Sequence, residues 1–430
     1  MDQNQNENRN ENRNELRYAL WAENIPGIGS RTLVGLAAGF GPGIFERLYR
    51  AGEQEIEDLL VGAGLSPRPF AERIRRAQKN DPEEFLKALE TTGLSFVSWE
   101  SLRYPDRLRV IPDPPFGLFV KGQLPDPNAP SLAVIGSREA TPRGRETARR
   151  FSLWLSSHGV QIISGMARGI DSVAGTAAVD AGGKSFAVLG SGADVCYPKS
   201  SWQLYERLPE RGGVLSEYLP GTAPAAALFP RRNRIISGLA DALLVVEAAR
   251  KSGTMITVGA ALDQGKDVYA VPGRPEDATS AGCNDLIRQG AGLVNTPEEL
   301  FEALYGGENP SDAMWCLADM RRERAEIAEQ KRRAERTERE RAAYVQENLF
   351  ADAAPAQDGT LWSCVLLALT GEPRTAEELL PGVSERAGRR VSETELRHAL
   401  SRLCLQGLAA ERFGRFSLAA GQEFGKEEDM

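Results

Sequence analysis

Three arginines fall within four residues in the run Phe229-Pro230-Arg231-Arg232-Asn233-Arg234-Ile235-Ile236. Neighbouring guanidiniums repel one another and are costly to desolvate, so such a cluster needs anions close by. The planar fork of donors fits carboxylate or phosphate. Two sources are open: internal carboxylates, with Asp171 and Glu247 as candidates, or an external phosphate. The run is expected to form a loop entering a helix, with one arginine structural and at least one facing a ligand.

Four further stretches carry related chemistry: Gly136-Ser137-Arg138, Ser164-Gly165-Met166-Ala167-Arg168-Gly169-Ile170-Asp171, Gly190-Ser191-Gly192-Ala193-Asp194 and Lys251-Ser252-Gly253-Thr254. Glycine lets backbone approach a ligand closely, and a helix beginning just beyond it offers free N–H groups to an anion. The candidate contacts are Gly136, Ser137, Arg138, Ser164, Gly165, Arg168, Gly169, Gly190, Phe229, Arg231, Arg232, Asn233, Arg234, Lys251, Ser252, Gly253 and Thr254. A groove lined this way suits a run of spaced phosphates better than one nucleotide. Single strands are held by cations that track the backbone and by aromatic rings that stack on bases. Phe229 and Tyr197 are the aromatics in the right loops, and each could instead belong to the core.

Gathering these loops on one edge requires a parallel sheet. Leu132–Ile135, Gln161–Ile163, Phe186–Leu189, Val214–Leu215, Ala242–Val246 and Asp267–Val271 read as buried strands. Between and after them lie helical patterns at Pro142–His158, Ile170–Ala181, Ser201–Pro209, Thr254–Gln264, Asn284–Gln289 and Pro297–Leu304. Apolar strands alternating with helices predict an α/β fold whose parallel sheet is covered on both faces. In such a sheet ligands bind at the carboxyl ends of the strands.

The rest of the chain divides around this unit. Residues 1–16 are a polar tail with nothing to bury and are expected to be disordered. Residues 17–92 carry apolar side chains at helical spacing, such as Leu33, Leu36 and Ala37. Ile25-Pro26-Gly27-Ile28-Gly29-Ser30 is a tight hairpin between the first two helices, either a plain turn or a place for a DNA phosphate. Residues 94–130 are Pro-rich, with one or two edge strands around Phe116–Val120, and lead into the sheet, so that 94–304 is one domain. Residues 305–357 form a charged helical linker without an apolar stripe. Residues 358–420 read as three helices and a β-hairpin, the pattern of a winged helix, followed by a tail, 421–430. Capping-box spacings at Thr375/Glu378 and Ser392/Glu395 start its second and third helices.

Composition excludes several classes. The five cysteines lack CxxC spacing and the only histidines are His158 and His398, so neither a metal site nor a disulfide framework is expected; this fits the cytoplasm. No apolar run approaches the roughly 20 residues of a membrane span. A net charge of −8 means that any anion site is a local cluster of Arg and Lys. Nucleotide fingerprints fail: Val195 and Thr32 break the two GxGxxG candidates, and Ala178 breaks the P-loop pattern ending at Gly183-Lys184-Ser185. No cofactor is expected.

The ordered set Gly136-Ser137-Arg138, Ser164–Asp171, Tyr197-Pro198, Ser216-Glu217-Tyr218, Phe229–Ile236, Val246-Glu247-Ala248, Ser252-Gly253-Thr254 and Ala270-Val271-Pro272-Gly273 closely resembles the DprA/Smf family, the DNA-processing proteins of bacterial natural transformation. The resemblance implies an extended Rossmann-like domain that binds single-stranded DNA, with an N-terminal SAM/helix-hairpin-helix-like region and a C-terminal winged helix. It implies a non-enzymatic protein that protects incoming strands, displaces single-strand-binding protein and loads the RecA recombinase. It also implies a homodimer through the far end of the sheet, around Asn284–Leu293. One departure stands out: the family's Ala-His after the Asp becomes Ala174-Gly175, which removes a side chain expected near the groove. Two other readings compete. One is a nucleotide phosphoribohydrolase-type enzyme with Glu247 as its carboxylate, although Lys251-Ser252-Gly253-Thr254 replaces that type's Gly-Gly-x-Gly-Thr. The other is a duplex-DNA regulator acting through the winged helix, where Arg397 and Arg402 are the exposed cations of the third helix.

Overall fold

The computed structural model describes residues 2–306, with side chains from Arg13 onward, and parts of 361–418. The chain forms two compact units, Met1–Glu326 and Ile327–Met430.

The first unit begins with α1 (Asp2–Glu23), α2 (Ser30–Phe40), α3 (Ile44–Arg50), α4 (Glu53–Gly62), α5 (Pro67–Ala77) and α6 (Pro82–Thr92). The segment 2–16, expected to be disordered, forms the first part of α1. Tyr18–Ala22 is buried and anchors the end of that helix. Adding residues to an existing helix needs no new nucleus, so a polar stretch can extend it. Trp21, Leu33, Leu36, Phe45, Leu48 and Ile74 fill the helical core, and the Trp21 indole donates to Ala77 O at 2.9 Å. The core does not close at residue 92; it continues into Phe96, Phe119, Met166, Leu189 and Val214.

Next along the chain come β1 (Ser95–Ser98), α7 (Asp106–Arg109), β2 (Gly117–Gly122), β3 (Ser131–Ile135), α8 (Pro142–Ser157), β4 (Gln161–Ser164), α9 (Ile170–Asp180) and β5 (Ser185–Val188). They are followed by α10 (Trp202–Arg207), β6 (Gly212–Ser216), α11 (Leu228–Leu239), β7 (Ala242–Val245), α12 (Thr254–Asp263), β8 (Asp267–Ala270), α13 (Ala281–Arg288), β9 (Gly292–Leu293) and α14 (Pro297–Tyr305). The nine strands form one sheet in the order β1-β2-β6-β5-β4-β3-β7-β8-β9. β3 to β9 run parallel, and β2 and β1 add an antiparallel margin beside β6. Strand order reverses between β3 and β7, which makes their carboxyl ends the topological switch point.

Successive strand residues point to opposite faces. Leu132, Val134, Ile162 and Leu244 pack against α8, α9 and α14; Ala133, Ile135, Ile163 and Leu243 pack against α11, α12 and α13. α8 shows how the sequence starts such a helix. Thr141 is extended and caps it, its hydroxyl accepting from Gly144 N at 3.0 Å, and Pro142 occupies the first turn. Ala148, Phe151 and Leu155 form its buried stripe.

The arginine run is not a loop. Phe229–Ile236 lies within α11. Pro230 sits in the first turn, where a missing N–H costs nothing, and Ile235, Ile236 and Leu239 supply the apolar face. Arg232 and Asn233 are buried here, and Arg232 bonds to the ends of β4 and β5.

The second unit contains β10 (Arg374–Thr375), α15 (Ala376–Arg386), α16 (Glu393–Leu405), β11 (Ala409–Arg412) and β12 (Arg415–Leu418), with an antiparallel sheet in the order β10-β12-β11. Leu379, Val383, Leu396, Leu400 and Phe416 form its core. Both capping boxes are made: Glu378 N–H donates to Thr375 Oγ1 at 3.2 Å and Thr375 N–H to Glu378 at 2.8 Å, and Ser392 and Glu395 repeat the exchange. The expected linker beyond Gly306 and the tail 421–430 lie outside the described residues, as does half of the expected helix Leu361–Thr370, of which Leu361, Cys364, Val365 and Ala368 are helical. No helix among the described residues is long and apolar enough to cross a membrane.

Candidate nucleic-acid interface

The loops that the sequence singles out follow β3, β4, β5 and β7, which are neighbours in the order β5-β4-β3-β7. At about 4.8 Å between strands, their four carboxyl ends span about 14 Å. Backbone contacts weld the loops together. Ser137 N–H donates to Glu247 O at 2.7 Å, and Ile170 N–H donates to Ser137 O at 3.1 Å. Gly169 has φ 84°, and a Cβ there would stand 2.1 Å from Ser137 O, so only glycine allows the loop after β4 to lie on the loop after β3. Met166 is the only non-glycine with positive φ (54°) among the described residues. It is held in that unfavourable region by a side chain that is 1% exposed.

Arg232 is fully buried under this edge. Its guanidinium donates to Gly165 O at 3.0 Å, to Val188 O and to Asn233 Oδ1 at 3.1 Å, clasping the ends of β4 and β5. Burial pushes its pKa down to about 10, against the pull of Asp171. Asp171 accepts from Gly165 N–H at 3.1 Å. Burial raises its pKa, opposed by Arg232 and by backbone N–H groups. Arg234 also turns inward, its side chain 11% exposed. It donates to the Glu217 carboxylate at 3.1 and 2.7 Å and to Asp113 at 2.9 Å. Burial alone would lower its pKa, but Glu217 and Asp113 outweigh this and raise it.

Three of the expected DNA contacts therefore belong to the scaffold: Arg232 and Asn233 are buried, and Arg234 is half-buried and ion-paired. The partners also differ from expectation. Arg234 binds Glu217 and Asp113, whereas Glu247 accepts hydrogen bonds from the Thr141 N–H and hydroxyl. Ser216-Glu217 closes β6, and its position at a strand end beside the arginine helix was the available signal.

Other predicted residues do reach the surface. Arg138, Arg168, Arg231 and Lys251 are exposed, and none takes part in an ion pair among the described residues. Tyr197, 44% exposed, stacks on the half-buried Phe229 ring at 5.7 Å with a 26° interplanar angle. The Arg138 guanidinium lies 5.4 Å from the Phe229 centroid, and Arg232 lies 6.0 Å from it. Gly190 makes room for this ring, since a Cβ there would stand 2.6 Å from Phe229 Cδ1. Ser252 and Thr254 bond to each other at 2.9 Å where α12 begins, with Gly253 exposed between them.

Two further expectations change. Gly175 faces Leu204 and the start of β5: a Cβ there would meet Leu204 at 3.0 Å and Ser185 at 3.3 Å, so a larger side chain would have to displace Leu204. At the hairpin, Gly27 has φ 77° and its carbonyl accepts from Arg73, which explains the turn without a ligand.

The family model for DNA recombination-mediator protein A matches residues 95–305. Protein Smf of Escherichia coli is 42% identical over 250 residues, covering 58% of this chain and 67% of that protein. DNA processing protein DprA of Streptococcus pneumoniae is 43% identical over 264 residues, covering 59% of this chain and 90% of that protein. The X-ray structure of DprA from Streptococcus pneumoniae superposes with a TM-score of 0.57 at 31% identity, covering 67% of this chain and 96% of that one. On these matches the chain belongs to the DprA/Smf family of DNA-processing proteins.

Proposed function

We propose that this chain binds single-stranded DNA along the carboxyl edge of its sheet. One observation carries the reading: the exposed Tyr197 ring stacked on the half-buried Phe229, beside Arg138 and the cations of the neighbouring strand-end loops, none of which is ion-paired among the described residues. Rings stack on any base and guanidiniums grip any phosphate, so binding is sequence-blind. In this reading the protein is a cytoplasmic, non-enzymatic mediator. It shields incoming strands during natural transformation, displaces single-strand-binding protein and hands the strand to the RecA recombinase. The engagement of Glu247 with Thr141 supports the non-enzymatic reading, because a phosphoribohydrolase would need that carboxylate free for substrate. A homodimer would use the β8–β9 end of the sheet, where Ile256, Leu262 and Leu293 are exposed. The second unit would act as a winged helix contacting DNA or protein. Arg397 on α16 is paired with Glu393 at 2.7 Å and stays 55% exposed.

Fluorescence anisotropy with oligothymidylate and with duplex, across a salt series, tests this. The expected result is preference for the single strand, with log affinity falling by about 0.7 per phosphate for each decade of salt. Equal affinity for duplex, or affinity independent of salt, refutes it.

A further inference from the structure

A cleft of about 710 Å³ opens beside the aromatic stack, between α8 and α9. Arg138 and Arg168 line it, so it is continuous with the cationic edge. Arg145 and Arg149 line the α8 wall; Ser172 and Thr176 line the α9 wall. Each pair is four residues apart, about 6 Å along a helix, a stride that matches successive phosphates of an extended strand. Four arginines face two carboxylates, Glu139 and Asp180, and Asp180 is already paired with Arg207 at 2.8 Å. Arg145 uses its Nε on Ala140 O at 3.2 Å, leaving its terminal N–H groups available. Arg149 shares its guanidinium with Glu146 but stays 53% exposed. Among the described residues, no aromatic side chain lines the cleft. It is suited to a sugar-phosphate backbone and offers bases nothing to stack on.

We propose that a strand leaving the Tyr197–Phe229 stack passes Arg138 and Arg168 and enters this cleft, where Arg145 and Arg149 neutralise two further phosphates. The inference rests on the single-strand reading of the stack and extends its footprint along α8. The stack grips bases, and the cleft rewards length.

The test compares oligothymidylates of about 4 and about 16 nucleotides, the range of footprints for single-strand-binding folds, on the full chain. The variants are Arg145→Ala/Arg149→Ala and Arg145→Lys/Arg149→Lys. The unaltered chain should gain affinity on lengthening the strand, the alanine pair should lose most of that gain, and the lysine pair should keep most of it. For the longer strand, the salt slope of the alanine pair should be shallower by about 1.4, which is two phosphates at about 0.7 each. The penalty of that variant should therefore shrink about sevenfold between roughly 50 and 200 mM salt. If the short strand binds but the alanine pair keeps the full gain and slope, the cleft proposal is overturned and the stack stands. If neither length binds the unaltered chain, the stack reading fails and the cleft falls with it. Both sites are helix-surface positions, and unchanged melting of the variants separates lost contact from lost fold.

Discussion

Replacing Arg234 with alanine should unfold more than it unbinds. In the native chain its guanidinium satisfies Glu217, whose side chain is 6% exposed, and Asp113, which is 41% exposed. Removing it leaves the Glu217 charge buried and unpaired, a change that costs about 3–5 kcal/mol. Asp113 can turn to water and adds little. The first unit has roughly 300 described residues; at about 2.1 cal/mol/K each, its unfolding entropy is about 0.6 kcal/mol/K. A loss of about 4 kcal/mol then lowers Tm by about 6 °C. Arg231, three residues earlier on the same helix and exposed, should show the opposite profile: an unchanged Tm and weaker DNA binding. Differential scanning calorimetry and oligonucleotide titration on both variants provide the readout. The double variant Arg234→Met/Glu217→Gln should regain most of the lost stability, since an apolar or neutral pair avoids the stranded charge. An Arg234→Ala protein that melts like the unaltered chain while losing DNA affinity would refute this reasoning and return Arg234 to the binding surface.

Tyr197→Ala should weaken oligothymidylate binding roughly five- to hundredfold, as expected for about 1–3 kcal/mol per stacked base, without lowering Tm; unchanged affinity would remove the stack from the site. Gly169→Ala should destabilise the protein and weaken binding together, because φ 84° and the contact with Ser137 O forbid a Cβ; a crystal structure with the loop unmoved would contradict this. Glu100 is raised from 4.5 to about 7, first by burial and then by Glu15. Its neutral form is the one the fold favours, so its stabilising contribution is complete below about pH 4.5 and is lost as pH rises through about 7. Glu100→Gln should therefore gain stability over the unaltered chain across that window, by at most about 3 kcal/mol, and parallel melting curves at every pH would disprove it.

The sheet and its loop edge were legible in the sequence because the strands are short apolar runs and those of β3, β4, β5 and β6 end in Gly or Ser, a local pattern. α11 was not. Arg232 and Asn233 look like loop residues until their surroundings are known, and the carbonyls that hold Arg232 belong to Gly165 and Val188, 67 and 44 residues away. Asp113 lies 121 residues from Arg234. Pairings over such distances leave no trace in spacing, so the sequence could count arginines without dividing them into inward and outward ones. The Arg138–Phe229–Tyr197 arrangement was half legible: the residue types were evident, but their stacking depends on how α11 meets the loop after β5.

The unbroken core between the amino-terminal helices and the sheet has a consequence for modularity. Residue 93 looks like a seam, a place where a gene could lose or exchange its front segment. A cut there would leave Phe96 and Phe119 without the helices that cover them and would undo the packing around Met166, whose backbone shapes the loop before Asp171. The helical segment is thus a cover that the sheet cannot shed, and shuffling at that seam should yield chains that aggregate. Inheritance of the front helices and the sheet is accordingly expected to be joint, with substitutions at contacting pairs such as Phe45 and Phe116 drifting in compensation across the apparent boundary.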